Sequence, residues 1–572
     1  MSIPTALFKR RCGRGREPGA SARYAVRRAG GGTSLMVRRG RPGRFLPQRR
    51  PLAACSSLMA RRCGRSGAGQ ILLRRRREDR ISALPDDLLL LILRRLDTRS
   101  ALGAGSLSKR WAHLPRELDA LDLRASDMLP PRYHRWVDLY KDNRAFLHCF
   151  RAMNLELLAN IRRYERRAMR AFISSTERFL EGPRRRVKTL SLEFFITGNA
   201  GRMDRLVAEA IDAWGVEDLE AVAKRIFGSR GPGVDDFPIH TFPSHGLCKE
   251  PRASRLRSLK LSGCVPPPLH EYNALNRLVL QGLPAPTPVA AYEDIFTLCP
   301  QLQTLHLISC GCSTRKGISL IVTVDAPRSQ IRELVVENCT FRKLSLRALP
   351  CLESLVSLQS WVIFESSSFP CLSQRNLAVC LGLEEIDWRV DLELDMFLDC
   401  TPGIRNLIIR FTGSYRWIVP SSPPSEFLPN LRRLLVADVP SSWDVTWPRL
   451  LLEMAPSLEI LHIHIVHAVS KKPGEEIPWT PTELRQHHLK EFVVVGFKGT
   501  ARQICLVKFV VGVCTALCHL AMFKNGHVRY RGRWDWEMVT QEQSWSDEEK
   551  GTTLKQIMDM VSSTSPVQLV LG

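Results

Sequence analysis

The chain has 572 residues, enough for two or more folding units with a sizeable core, and a formal net charge of +26. Residues 1–77 hold 20 arginines and Lys9 against one acid, Glu17, whereas the rest of the chain has a net charge of only +6. The bulk basicity therefore does not indicate a nucleic-acid-binding body. Seventeen cysteines without a secretory signal favour a reducing compartment, and no stretch has the ~18 uninterrupted apolar residues of a membrane span.

Residues 1–78 are predicted to form a disordered, Arg-rich extension, because a segment rich in Arg, Gly, Ala and Ser cannot bury enough apolar surface to fold. Three interpretations remain open for it: a solvated extension without a selected role, an organelle transit peptide, or a segment that binds nucleic-acid phosphates. Charge runs are usually solvated, which favours the first.

A helical segment follows, and it is too short to fold well alone. Apolar residues recur at helical spacing behind a Leu-Pro-Asp-Asp start that suits a helix N-terminus, namely Leu84, Leu88, Leu89, Ile92, Leu93 and Leu96. A break at 97–100 leads to a second apolar run that ends at Trp111. Two or three short helices bury little surface, so we expect a partner to cover their apolar face.

The residues LPDDLLLLILRRL, followed by SLSKRW, closely resemble an F-box, the module that docks substrate receptors onto cullin-based ubiquitin ligases. The resemblance implies that residues 79–125 bind a Skp-family adaptor. The candidate contact or supporting residues are Leu84, Pro85, Leu89, Ile92, Leu93 and Trp111. Gly103 and Gly105 depart from the family pattern and cost the second helix up to ~1 kcal/mol each relative to alanine. An ordinary helical hairpin packed in its own core is the alternative interpretation.

Residues 126–254 are predicted to be a helical connector with the first repeats. Within them, 138–180 and 203–227 have helical periodicity, and 187–192 has the pattern of a first strand. From 255 to 487, apolar residues return at positions 1, 4 and 6 of a short unit, and successive units start 19 to 31 residues apart. The clear copies, with a last one at 489, are Leu256/Leu259/Leu261, Leu275/Leu278/Leu280, Leu302/Leu305/Leu307, Ile331/Leu334/Val336, Leu383/Ile386/Trp388, Ile404/Leu407/Ile409, Leu431/Leu434/Val436, Leu458/Leu461/Ile463 and Leu489/Phe492/Val494; weaker ones start at Leu352 and Leu517.

Two further features sharpen the repeat prediction. Cys264, Cys310 and Cys339 each occupy position 9, where leucine-rich repeats place Asn or Cys, and in five repeats a proline precedes position 1 by two residues. Unrelated amphipathic strands would not reproduce both features. The pattern predicts an α/β fold: a helical F-box followed by an irregular leucine-rich-repeat solenoid with a curved parallel sheet.

Residues 488–523 resemble the FBD region that follows F-box and repeat segments in plant proteins. The matching features are the strand LKEFVVVGF, the Lys498-Gly499-Thr500 turn and the helix LVKFVVGV. This unit is suited to capping the open end of a solenoid. Residues 524–572 are predicted to be a further C-terminal cap, with a helix opened by the capping box Ser546-x-x-Glu549.

Positions 3, 5 and 7 of each repeat point away from the core, so they face the concave side of the predicted sheet. Concave solenoid faces are common binding surfaces. We therefore predict a target-binding row, against the alternative of an ordinary solvated strand face, at His306, Glu337, Glu385, Asp387, Arg389, Arg410, His462 and His464.

Chemical motifs are scarce in this sequence. It has no Walker-type phosphate loop, GxSxG elbow or HExxH motif. The Cys310/Cys312 and His462/His464/His467 groupings lack partner pairs at zinc spacing. We therefore expect no catalytic residues, no metal and no cofactor.

The resemblance implies a non-catalytic substrate receptor of an SCF-type E3 ubiquitin ligase from a plant. Its expected partners are a Skp-family adaptor, through it a cullin–RING ligase, and an unknown target protein, without membrane or nucleic-acid binding. We expect it in the nucleus or the cytoplasm rather than an organelle. Two alternatives remain: a scaffold that joins no ligase, and nucleic-acid binding through the basic N-terminal tail.

Overall fold

A computed structural model describes residues 81, 83–144, 151–180, 186–198, 200–228, 239–283, 287–312, 320–365, 369–379, 392–393, 398, 401–411, 418–419, 428–441, 448–466, 485–540, 545–558 and 567–572. The chain divides into two units, Met1–Arg77 and Glu78–Gly572. All described residues belong to the second unit, and the predictions for residues 1–78 lie outside them.

Among the described residues, five α-helices lie before residue 213 and four lie after residue 288. The α-helices are α1 (Asp86–Leu93), α2 (Thr98–Ala104), α3 (Pro131–Arg144), α4 (Arg151–Leu180), α5 (Ala200–Asp212), α6 (Val289–Leu298), α7 (Pro448–Met454), α8 (Ala501–Val513) and α9 (Asp547–Met558). Short 3-10 helices span Leu114–Glu117, Ala125–Met128 and Pro251–Ala253. No helix in the described part of the chain is both long and apolar enough to cross a bilayer.

The strands are short, as expected for a repeat structure. In chain order they are β1 (Ala120–Arg124), β2 (Thr189–Phe195), β3 (Asp218–Lys224), β4 (His240–Thr241), β5 (Ser258–Ser262), β6 (Cys264–Val265), β7 (Arg277–Gln281), β8 (Thr304–Ile308), β9 (Ile321–Asp325), β10 (Glu333–Glu337), β11 (Lys343–Ala348), β12 (Ser354–Leu358), β13 (Val362–Phe364), β14 (Gln374–Val379), β15 (Leu392–Glu393), β16 (Asn406–Phe411), β17 (Ile418–Val419), β18 (Arg433–Pro440), β19 (Ile460–Val466), β20 (Glu491–Val495), β21 (His519–Phe523), β22 (Gly526–Arg531), β23 (Asp535–Thr540) and β24 (Gln568–Leu571).

Fifteen strands form one parallel sheet whose strand order follows the chain. The order is β1-β2-β3-β5-β7-β8-β10-β12-β14-β16-β18-β19-β20-β21-β24. The register aligns equivalent repeat positions: Leu259 pairs with Leu278, which pairs with Leu305. Residues at positions 4 and 6 therefore stack on one face of the sheet, and those at positions 3, 5 and 7 on the other. We call the second one the position-5 face.

The core lies between this sheet and elements that include the shorter parallel ladders β9–β11–β13 and β4–β6. A further short parallel ladder is β15–β17. One apolar cluster extends from Leu89 in α1 to Leu372 and includes Val322 of β9 and Leu344 of β11, both fully buried. A second cluster extends from Leu377 to Ile557. The fold is thus a helical region at residues 86–143 followed by a large, mostly buried parallel sheet, as the α/β prediction required.

A buried carboxylate joins the helices to the first strands. Tyr133 of α3 donates its hydroxyl hydrogen to Glu165 of α4 at 2.7 Å, and the backbone N–H of Phe227, after β3, donates to the same carboxylate at 2.9 Å. Glu165 is 1% exposed, and burial raises its pKa and that of the Tyr133 hydroxyl. The contact ties α3 and α4 to the start of the sheet.

A left-handed residue at position 8 ends most of the repeat strands. Glycine occupies it after β5, β7 and β20, and the non-glycine residues with positive φ include Ser309, Asn338, Gln359 and Asp438 at the same position. Position 9 then satisfies carbonyl groups at the turn: the Sγ of Cys310 contacts the carbonyl oxygen of Leu280 at 3.4 Å, and that of Cys339 the carbonyl of Leu307 at 3.3 Å. The predicted role of the position-9 cysteines has this physical basis.

Two elements differ from the sequence prediction. Helical periodicity was predicted across 203–227, but α5 ends at Asp212 and residues 218–224 form β3, because Leu219, Ala221 and Ala223 also alternate with period two. The predicted repeat at 383–388 lies outside the described residues. Its expected place between β12 and β16 is filled by β14, which pairs directly with both.

The position-8 turn at Gly496 gives a direct stability test. Its φ is +84°, and an added Cβ would lie against the carbonyl oxygen of Ile465, whereas Gly282 has φ of +65° with open space around it. We expect Gly282→Ala to cost about 1–2 kcal/mol of unfolding free energy from the left-handed backbone alone. Gly496→Ala should cost roughly 1–3 kcal/mol more because the carbonyl must also move.

Urea unfolding followed by circular dichroism measures both variants. Equal losses of unfolding free energy in the two variants would contradict the close approach of Gly496 to the Ile465 carbonyl oxygen.

Candidate functional site

Helix α1 is apolar on both of its faces. Leu89 and Leu93, one turn apart, are fully buried in the core of the chain. On the opposite side, Leu88 is 45%, Leu91 53% and Ile92 38% exposed. A helix that is apolar all round is normally covered on every side, so this outer side lacks a cover within the described chain.

The exposed apolar surface continues beyond α1. Leu96, which follows the helix, is 44% exposed. We call Leu88, Leu91, Ile92 and Leu96 the α1 outer face. Ile81 and Leu107 are further exposed apolar residues of this region, at 55% and 76%.

The predicted adaptor residues divide into exposed and buried groups. Ile92 lies on the α1 outer face, Pro85 is the exposed N-cap of α1, and Leu84 is half-buried against the core. Leu89, Leu93 and Trp111 are buried and support the helix from inside. Six of the eight residues of α1 are apolar, so the sequence pattern could not show which of them face the core and which face outward. For this reason Leu88 and Leu91 were missed as contact candidates.

The α1–α2 region is held firmly against the first strand of the sheet. Asp97 caps α2 by accepting a hydrogen bond from the Ser100 N–H at 2.9 Å, and this bond lowers the pKa of Asp97. Thr98 accepts a hydrogen bond from the backbone N–H of Asp122 in β1 at 2.8 Å, and Arg99 donates to the Asp127 carbonyl at 2.7 Å. These contacts therefore fix the orientation of the α1 outer face relative to the sheet.

The position-5 face of the sheet is covered by a part of the chain itself. Strands β22 and β23 form an antiparallel hairpin immediately after β21, and the side chains of Val528, Tyr530, Trp536 and Met538 lie on this face. Trp536, 6% exposed, packs on Ile408 of β16 and on Leu435 and Ala437 of β18. We call β22–β23 the C-terminal hairpin.

Polar contacts fix the hairpin in register with the sheet. The Trp536 Nε1–H donates to His462 Nδ1 at 2.8 Å, so the neutral ring of His462 carries its hydrogen on Nε2, which faces Glu491 at 2.7 Å. Arg433 forms an ion pair with Asp535 at 3.0 Å and lies 4.5 Å from the Trp536 ring centroid. One arginine thus contacts both residues of the Asp535–Trp536 pair.

The hairpin contacts several strands along the sheet. Asn376 of β14 donates a side-chain hydrogen bond to the carbonyl of Arg533 at 2.7 Å. The guanidinium of Arg410 lies 3.6 Å from the ring centroid of Tyr530, and Arg533 reaches Glu333 of β10 at 3.5 Å. The tail was predicted to be a terminal cover, but its position across the repeat face was not.

Most of the predicted target-binding residues lie on the position-5 face but are not free. His306 is 4% exposed beside Glu333 at 3.3 Å, and His464 is 6% exposed beside Asp438 at 3.0 Å. Arg410 and His462 lie beneath the hairpin, and Glu337 is half-buried at the end of β10. Glu385, Asp387 and Arg389 lie outside the described residues.

Potential metal ligands and thiols are two kinds of candidate chemical group in the described part of the chain. No group of three or more His, Cys, Asp or Glu residues there is placed to hold a metal ion. Burial raises the pKa of the Cys264 thiol to about 12 and that of Cys299 to about 11, which keeps both protonated at neutral pH. These thiols are packing groups.

The comparisons with known proteins agree with this geometry. Residues 81–119, which contain α1 and α2, match the F-box domain. The chain is also similar to an F-box/FBD/LRR-repeat protein of Arabidopsis thaliana, at 47% identity over 62 residues. That match covers 10% of this chain and 15% of the relative. The chain therefore contains an F-box domain. The resemblance to plant F-box and leucine-rich-repeat proteins, predicted from the sequence, is confirmed.

The His462–Glu491 contact predicts a pH dependence. The hydrogen bond from His462 holds the pKa of Glu491 below its ordinary value of 4.5. A carboxylate with a lowered folded-state pKa stabilises the fold above pH 4.5, and this contribution is lost as the pH falls through the folded pKa. We therefore expect Glu491→Gln to lower the free energy of unfolding at about pH 7. The variant should also lose less of this free energy between about pH 5 and about pH 3, the range in which carboxyl groups titrate.

Urea midpoints across this pH range measure the effect, with Glu353→Gln as the control, since the partner of Glu353 is the exposed Arg332. Identical pH profiles for Glu491→Gln and the unsubstituted chain would contradict the contact.

Proposed function

We propose that the protein is a substrate-recognition subunit of an SCF-type cullin–RING E3 ubiquitin ligase, with its F-box bound to a Skp-family adaptor. The α1 outer face carries this proposal. It is an apolar helix surface next to a buried one, within the segment that matches the F-box domain. Covering apolar side chains of this size contributes about 1.5–3 kcal/mol for each fully buried residue, so the surface suits a tight protein partner.

We further infer that the parallel sheet is the inner layer of an irregular leucine-rich-repeat solenoid that holds a target protein. Its sequential strand order, aligned register and position-8 turns support this inference. The strand–helix–strand unit β20–α8–β21 lies near the far end of the sheet, and Thr500 and Gln503 form a capping box at the start of α8. We assign this unit to an FBD-like cap.

In this function the chain contributes no chemical step of its own. The F-box is fixed to β1, so a target on the repeats would be held at a defined distance from the adaptor and the ubiquitin-charged enzyme that the ligase recruits. Catalysis then comes from proximity within the complex. We place the protein in the nucleus or the cytoplasm, where such a ligase would act.

Adaptor binding tests the proposal through exposed residues, because substitution of buried Leu89 or Leu93 would unfold the domain. We expect Leu88→Asp/Ile92→Asp to weaken co-purification with a Skp-family adaptor more than tenfold, since at least about 2 kcal/mol of apolar burial is lost. The matched control is Leu155→Asp, an exposed apolar residue on α4.

Adaptor binding by the unsubstituted chain and by Leu155→Asp, with loss in the double variant, supports the ligase function. A folded, unsubstituted chain that fails to bind the adaptor would overturn it and favour a scaffold that joins no ligase.

A further inference from the structure

The Asp535–Trp536 pair occupies a defined slot on the position-5 face. Ile408, Leu435 and Ala437 form its apolar floor, and Trp536 is almost fully buried on them. Two polar groups border the floor: His462 Nδ1 accepts the indole N–H, and Arg433 contacts the Asp535 carboxylate and the indole ring. We call these five sheet residues the Asp-Trp slot.

The slot is selective in its chemistry. An indole supplies both a large apolar ring and one N–H donor, whereas Phe lacks the donor and would leave the Nδ1 atom of the partly buried His462 without this hydrogen bond. A carboxylate next to the indole satisfies Arg433, whose guanidinium stacks on the ring at the same time. The features together fit an acidic residue followed by tryptophan on an extended backbone.

The hairpin is attached to the sheet in a way that permits its release. Its two strands hydrogen-bond to each other, and in the described part of the chain no backbone–backbone hydrogen bond joins them to the fifteen-stranded sheet. Their apolar contacts form two small clusters on the position-5 face, separate from the two main cores. Removing the hairpin would therefore leave both main cores intact.

We propose that the C-terminal hairpin is an intramolecular occupant of the target-binding face, and that a target displaces it by presenting its own Asp-Trp or Glu-Trp pair on an extended segment to the slot. The inference rests on the proposed function, since it names the target chemistry and the self-masking of the repeat face. A buried face that is occupied by its own hairpin binds partners more weakly than the same face left open, because displacement opposes association.

The first test uses the full-length chain and a labelled peptide of hairpin sequence, residues 526–540. The slot is opened by Asp535→Ala/Trp536→Ala, which removes the two side chains that fill it. We expect the peptide to bind the opened chain at least tenfold more tightly than the unsubstituted chain. The same peptide carrying Trp536→Ala should lose this binding, and one carrying His527→Ala, an exposed hairpin position, should retain it.

Substitutions on the sheet side provide a matched pair. In the opened chain, Arg433→Ala should abolish peptide binding, whereas Arg432→Ala should not, because Arg432 pairs with Glu459 rather than with the hairpin. Equal peptide binding to the opened and unsubstituted chains, or equal binding of the Trp536→Ala peptide, would overturn the proposal.

Hydrogen exchange on the unsubstituted chain tests release without any substitution. We expect the amides of β22 and β23 to exchange at least a hundredfold faster than those of β18 and β19, because the hairpin opens while the ladder stays closed. Equal protection of both would make the hairpin a permanent part of the sheet and overturn the proposal. The α1 outer face lies outside the slot, so adaptor binding should be equal in the opened and unsubstituted chains. Failure of both chains to bind the adaptor, with the peptide results as expected, would count against the proposed function alone.

Discussion

Continuous parallel pairing from β1 to β24 is the constraint on which the rest of the structure depends. Each inner strand gives its backbone hydrogen bonds to two neighbours, so every repeat must present its positions 4 and 6 to the same side. Because β1 begins only three residues after the 3-10 helix Leu114–Glu117 ends, the ladder fixes the F-box as well as the repeats. A change of register anywhere would exchange the buried and exposed faces of that strand.

Helix α1 and the parallel sheet each carry apolar side chains on both of their faces. In α1, Leu89 and Leu93 belong to the core while Leu88 and Leu91 face outward. In the sheet, positions 4 and 6 form the core while position 5 carries apolar residues such as Leu435 on the far side. The C-terminal hairpin covers the position-5 face of the sheet. Within the described chain, no segment covers the α1 outer face in the same way.

Much of this fold could be predicted because its signals are local and periodic. The repeat pattern located ten strands of the large sheet, namely β5, β7, β8, β10, β12, β16, β18, β19, β20 and β21. The capping box predicted at Ser546 and Glu549 is also present. β3 was missed because the apolar residues within Asp218–Lys224 are spaced in a way that fits both the helical period and the strand period. β14 was missed because Arg375, fully buried, stands at position 4, where an apolar residue is expected; burial lowers its pKa to about 9. The alternating aromatic residues and the turn at Gly532 are local signals of a hairpin. They cannot indicate which distant strands the hairpin covers, because those contacts depend on the folded chain.

We propose that the α1 outer face binds a Skp-family adaptor and that this binding leaves the repeat sheet unchanged. Hydrogen exchange of the full-length chain, measured with and without a saturating concentration of the adaptor, tests both parts of this proposal. We expect new protection confined to residues 86–107, with unchanged exchange in β16–β20. Protection of the sheet instead, or no new protection in α1 and α2 at saturating adaptor, would contradict it.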